Sequence, residues 1–144
     1  MSRALFGTLL AALLLSSLQA GEKGWDHFLA LSLKKDIWQS VEIREGERVH
    51  NLDLCWTLYK NGGLVMHIRY DKYRYQPLLY AKYRLDTFKI DLFPKREDAS
   101  RSTLQKPYAL IVFKAFDERK REAHIDLMIK DYGMSEIFYE KGKE

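Results

Sequence analysis

The stretch Leu52-Asp53-Leu54-Cys55-Trp56-Thr57-Leu58-Tyr59-Lys60, then Asn61-Gly62-Gly63, then Leu64-Val65-Met66-His67-Ile68-Arg69-Tyr70 decides how this chain is read. Two strand-like runs flank an Asn-Gly turn signal, the strongest short-range pattern for a β-hairpin. Loop length sets the register, and side-chain character separates two choices. A two-residue loop of Asn61 and Gly62 would set Trp56 opposite His67 and Leu54 opposite Arg69, mixing core and solvent on one face. A three-residue loop that takes in Gly63 sets Leu58 opposite Met66, Trp56 opposite Ile68 and Leu54 opposite Tyr70. One face is then apolar or aromatic throughout. A one-residue slip turns a whole strand over, so the three-residue loop is expected. Gly63 would hold the left-handed position of a bulge, at little cost without a Cβ. The other face carries Cys55, Thr57 and Tyr59 against Val65, His67 and Arg69, with Cys55 and His67 as diagonal neighbours.

The flanking chain reads as further strands. Leu29, Leu31 and Leu33 alternate with small residues and predict a strand to Lys34, although Trp25, Phe28 and Leu29 also have helical spacing with Asp26 as a cap. Ile37, Val41 and Ile43 continue the alternation, and Glu45-Gly46-Glu47 turns the chain into Val49. Phe88, Ile90 and Leu92 lie on the opposite parity from Ala81, Tyr83 and Leu85, which predicts a bulge or corner at Asp86-Thr87. Lys95–Thr103 lies in the longest polar stretch. Tyr108–Phe116 is nearly all apolar and predicts a central strand covered on both faces. Ala123, Ile125, Leu127 and Ile129 alternate with His124, Asp126, Met128 and Lys130, a strand with one wet face. Ser135–Tyr139 is a last short strand. The fold class is all-β: a single antiparallel β-sandwich or small closed barrel of about eight short strands.

Met1-Ser2-Arg3, the uncharged run Ala4–Leu18 and the small residue Ala20 have the parts of a secretory signal peptide. The alternative, a spanning helix, needs ~20 apolar residues. Cleavage after Ala20 is therefore expected, leaving residues 21–144 as one β-rich domain without a transmembrane segment. Location is then the periplasm in a cell with two membranes, and otherwise the exterior. Loss of Arg3 takes one unit from the formal net charge of +4. Such mild basicity is not the footprint of a nucleic-acid binder and supports only weak attraction to anionic surfaces. A single cysteine, Cys55, excludes an internal disulfide framework, so the core carries the stability.

Catalytic and metal motifs are weak. His27, His50, His67 and His124 have no metal-ligand spacing, and no second cysteine accompanies them. Cys55 and His67 are the nearest thing to a nucleophile and base, with no third orienting group visible. No phosphate loop or nucleophile elbow is present. No catalytic residue, metal or cofactor is assigned.

The most unusual composition follows the hairpin. Tyr70–Arg84 holds five of the nine tyrosines, interleaved with four basic residues. Tyr70, Lys72, Tyr73, Arg74, Tyr75, Tyr80, Lys82 and Arg84 form the candidate contact set, since tyrosine gives rigid contact area and arginine adds pairing and stacking. The plain alternative puts the tyrosine bodies in the core and the charges in water. The functional expectation is a non-catalytic exported module that binds an envelope protein or glycan. A small exported enzyme with a cross-strand Cys/His or metal site is one alternative, and a structural subunit of an envelope assembly, pairing through edge strands, is another.

Overall fold

A computed structural model describes residues 24–93, 106–133 and 135–139. The expected leader, 1–20, and the polar stretch Lys95–Thr103 lie outside these. Among the described residues the chain is all-β, with ten strands in two antiparallel sheets. The strands are β1 (His27–Lys34), β2 (Gln39–Glu45), β3 (Arg48–Lys60), β4 (Gly63–Tyr70), β5 (Tyr73–Tyr75), β6 (Leu78–Tyr80), β7 (Thr87–Asp91), β8 (Tyr108–Asp117), β9 (Glu122–Lys130) and β10 (Glu136–Tyr139). One sheet runs β1-β9-β8-β7. The other runs β10-β2-β3-β4-β5, with β6 also on β4. The sheets are not closed into a barrel, and the arrangement is sandwich-like. There are more strands than the expected eight partly because Pro77, with no N–H to give, splits the tyrosine-rich band into the three-residue β5 and β6.

Alternation explains which faces meet. Leu29, Leu31 and Leu33 of β1 and Ala123, Ile125, Leu127 and Ile129 of β9 are all buried, while the residues between them are exposed or half-buried. Leu52, Leu54, Trp56, Met66, Ile68 and Tyr70 supply the facing layer. The Trp56 indole N–H donates to the Leu33 carbonyl at 2.7 Å, so the largest core residue is satisfied while fully buried. The parity change expected near Asp86 is a corner, where the chain leaves β6 in one sheet and enters β7 in the other. β8 is internal to its sheet, but only its inner face is fully covered. On the outside Tyr108 and Leu110 are half-buried and Lys114 is exposed, because a two-layer packing covers one face of each sheet.

The hairpin register differs from the expectation. The loop is Asn61-Gly62, with φ of 53° and 81° as the two-residue primed turn requires. Gly63 is inside β4, opposite Lys60. Parity is restored by a bulge between Trp56 and Leu58. Trp56 therefore faces Met66, Leu54 faces Ile68 and Leu52 faces Tyr70. The apolar face is the expected one up to Trp56. Past the bulge it inverts: Tyr59 turns inward and Leu58, expected inside, turns out and is 51% exposed.

Candidate functional site

The tyrosine-rich band does not form one surface. Tyr70 is fully buried; its hydroxyl accepts the Phe93 N–H at 3.3 Å. Burial above all, with the nearby Asp71 and Glu45 carboxylates, pushes its phenol far above the ordinary value. Its candidate role as a contact residue is corrected: it is core, because β4 alternates and Tyr70 shares parity with Met66 and Ile68. Tyr75 sits opposite Ile68, half-buried, with its ring 5.4 Å from that of Phe88. Lys72, Tyr73 and Arg74 are exposed at the end of β4 away from the hairpin loop. The Lys72 ammonium lies 5.7 Å over the Tyr73 ring. Pro77, whose carbonyl accepts the Met66 N–H at 3.0 Å, divides these residues from Tyr80, Lys82 and Arg84. Those three lie at the loop end of the sheet.

At that end a different surface forms, and pairing alone builds it. Residues directly opposite in antiparallel strands share a face. Leu58 is opposite Val65, and Val65 is opposite Leu78, giving one row across β3, β4 and β6. Lys60, Gly63 and Tyr80 form the next row, extended by the isolated bridge from Tyr80 to Leu85. All lie on the outer face, since Leu64 and Leu79 between them are buried inward. Leu58, Leu78, Tyr83 and Leu85 are 51%, 52%, 70% and 61% exposed, which makes four large apolar side chains left in water together. The Tyr83 ring meets that of Tyr80 edge-on at 6.5 Å. Lys60, Lys82 and Arg84 are exposed around them and make no ion pair among the described residues. The chain has no acidic residue from Lys72 to Leu85. Sequence reading named Tyr80, Lys82 and Arg84 but missed Leu58, Leu78, Tyr83 and Leu85 as contacts; the outward turn of Leu58 depends on a bulge that leaves no local signal.

Cys55 and His67 are direct opposites rather than diagonal neighbours. Cys55 is buried, and its thiol points to the Trp56 carbonyl at 3.6 Å. Burial first, then the Asp36 carboxylate, raises its pKa against a smaller opposing effect of Arg69. The thiol is held protonated, which is wrong for a nucleophile. His67 Nε2 is taken by the Thr57 hydroxyl at 2.8 Å. The other histidines each have their own partner: His124 the Ser32 hydroxyl at 3.1 Å, and His50 the Asp71 carboxylate at 2.6 Å. Among the described residues no three His, Cys, Asp or Glu side chains are grouped to hold a metal ion.

His27 belongs to a polar cluster that joins positions 104 residues apart. Its Nε2 is 2.8 Å from the fully buried carboxylate of Asp131, which also accepts the Ser135 hydroxyl and the Gly133 N–H. Asp26 in turn accepts the N–H groups of Asp131 and Tyr132, each at 2.9 Å. Burial raises the Asp26 pKa, but these two N–H groups, Lys130 and His27 more than offset it and hold the carboxyl below its ordinary value. Ser135 bonds to the carboxylate and not to the imidazole, so the cluster lacks a nucleophile–base contact. It pins the start of β1 to the turn after β9. Comparison with protein-family models, with curated proteins and with solved structures finds no match.

Proposed function

We propose that the chain is an exported, non-catalytic binding module that docks an envelope component through the outer face at the hairpin end. The observation that carries this reading is the group Leu58, Leu78 and Leu85, each more than half exposed and on one face by strand pairing, with the exposed Tyr83 ring beside that of Tyr80. Monomeric domains rarely leave such groups contiguous in water unless something covers them. Three leucines and one tyrosine shift the weight away from a glycan, whose hydroxyls need polar partners, and toward an apolar or amphiphilic component. The enzymatic alternative has less support, because the Cys55 thiol is buried and His67 is committed to Thr57.

Retention of envelope material by the immobilised mature chain tests the reading, run beside a Leu78→Ser, Leu85→Ser variant. Both positions are exposed, so the variant is expected to keep the wild-type circular dichroism spectrum and unfolding midpoint. Envelope components retained by the wild type and lost by the folded variant are the expected result. Equal retention by both would overturn the assignment of this face. Export is tested separately: the mature protein recovered from outside the cytoplasm begins at Gly21.

A further inference from the structure

We infer that the component which covers this face is an anionic lipid bilayer surface. The inference rests on the binding-module reading and names its partner. Three observations point to it. First, the apolar side chains stand at one end of the sheet, where two turns lie side by side. The Asn61-Gly62 loop and the turn between Tyr80 and Leu85 are brought together by the Gly63–Tyr80 and Tyr80–Leu85 pairings.

Second, the side chains project. Tyr83 and Leu85 are 70% and 61% exposed. A protein partner would need a groove shaped to receive them, whereas a bilayer interface yields to leucine and accommodates tyrosine at headgroup depth. Third, the charged side chains set among these apolar ones are basic. Lys60, Lys82 and Arg84 surround the patch, and no acidic residue occurs from Lys72 to Leu85. Long basic side chains lay their stems along apolar contacts and carry their charges to the headgroups. The same charges argue against self-docking. A two-fold contact through this face would press the three cations against their copies.

Co-sedimentation of the mature chain with protein-free vesicles tests the inference. One set is phosphatidylcholine with phosphatidylglycerol at about seven to three, and the other is phosphatidylcholine alone. Two variants accompany the wild type: Leu78→Ser with Leu85→Ser, and Lys82→Gln with Arg84→Asn. Asparagine suits position 84, where φ is 44°. The wild type is expected on the anionic vesicles at low salt and much less on the neutral ones. Each basic residue near an anionic surface is worth about fivefold, so the charge variant should lose about tenfold or more. The leucine variant should lose a similar factor, and about 0.5 M salt should reduce binding strongly.

No binding to the anionic vesicles, equal binding to the neutral ones, or binding that survives in both folded variants would each overturn the inference. Absence of vesicle binding together with patch-dependent retention of envelope material would assign the face to a component other than a bilayer surface. That result would overturn the lipid inference and leave the binding-module reading standing.

Discussion

The rings of Tyr59 and Phe116 stack across the two sheets, with centroids 3.8 Å apart and planes 15° from parallel. Neither ring would face the interior on a regular strand. β3 buries the even positions Leu52, Leu54 and Trp56, and β8 buries the odd positions Ala109, Ile111 and Phe113, so simple alternation would turn the odd position 59 and the even position 116 toward water. Each strand has a bulge just before, between Trp56 and Leu58 in β3 and between Phe113 and Ala115 in β8. Two local irregularities are thus matched across the core. The one in β3 also turns Leu58 out to the candidate binding face.

Substitution at adjacent positions tests that register. Tyr59→Ala removes the stack on Phe116 and the edge contact with Phe113 at 6.1 Å. A loss of about 2 kcal/mol in urea unfolding is expected, below the value for a fully buried aromatic because Tyr59 is half-buried. Leu58→Ala is expected to cost under about 0.5 kcal/mol. The three-residue loop read from the sequence requires the reverse order. Equal or inverted costs would therefore reinstate it.

Gly63 and Tyr80 give a second test at the same end. A Cβ at Gly63 would lie 2.9 Å from the Tyr80 ring and 3.1 Å from a Leu78 methyl. Gly63→Ala must therefore push the Tyr80 ring outward, at a cost of about 1 kcal/mol. The same substitution in a Tyr80→Ala background is expected to cost much less, because the obstructing ring is gone. A double-mutant cycle with no coupling would show that the ring does not cover Gly63.

Acid stability should report on Asp26. Its folded carboxyl titrates below the ordinary aspartate value, so its contribution is complete above the ordinary carboxylate range and is lost as pH falls through the lower folded value. Asp117, whose carboxylate accepts the Lys120 and Arg119 N–H groups, behaves in the same sense, so wild type alone cannot isolate either residue. Asp26→Asn is expected to cost about 1 kcal/mol near neutrality through weakened bonds to Asp131 and Tyr132. Its urea midpoint should then fall less steeply than that of wild type as pH drops below the ordinary carboxylate range. Parallel pH profiles would remove Asp26 from the acid transition.

Cys55 should be chemically silent in the folded chain. Its thiol is buried, and its pKa is raised, chiefly by burial. Alkylation by iodoacetamide at mildly alkaline pH is expected to run at least about 100-fold slower than in urea. Comparable rates in the two conditions would return Cys55 to consideration as a reactive group.

Much of this architecture is written in local pattern. Alternation in Leu29–Leu33 and Ala123–Ile129 determined two strands and their buried faces, because the strand repeat of two residues is a property of the backbone itself. Asn61-Gly62 marked the hairpin, and the parity change at Asp86 marked the corner between sheets. For the candidate face, composition pointed to Tyr80, Lys82 and Arg84. It also pointed to Tyr70, which proved to be core, since exposure depends on which strand lies opposite and what covers the sheet. Only the tertiary structure decided the rest. Nothing near Thr57 or Lys114 in the sequence announces a bulge, for each is stabilised by the packing of Tyr59 against Phe116 from distant strands. The cluster of His27, Asp131 and Ser135 likewise exists because β1 and β9 pair along their whole length. Contacts of that kind depend on chain closure over many residues, which no short window of sequence contains.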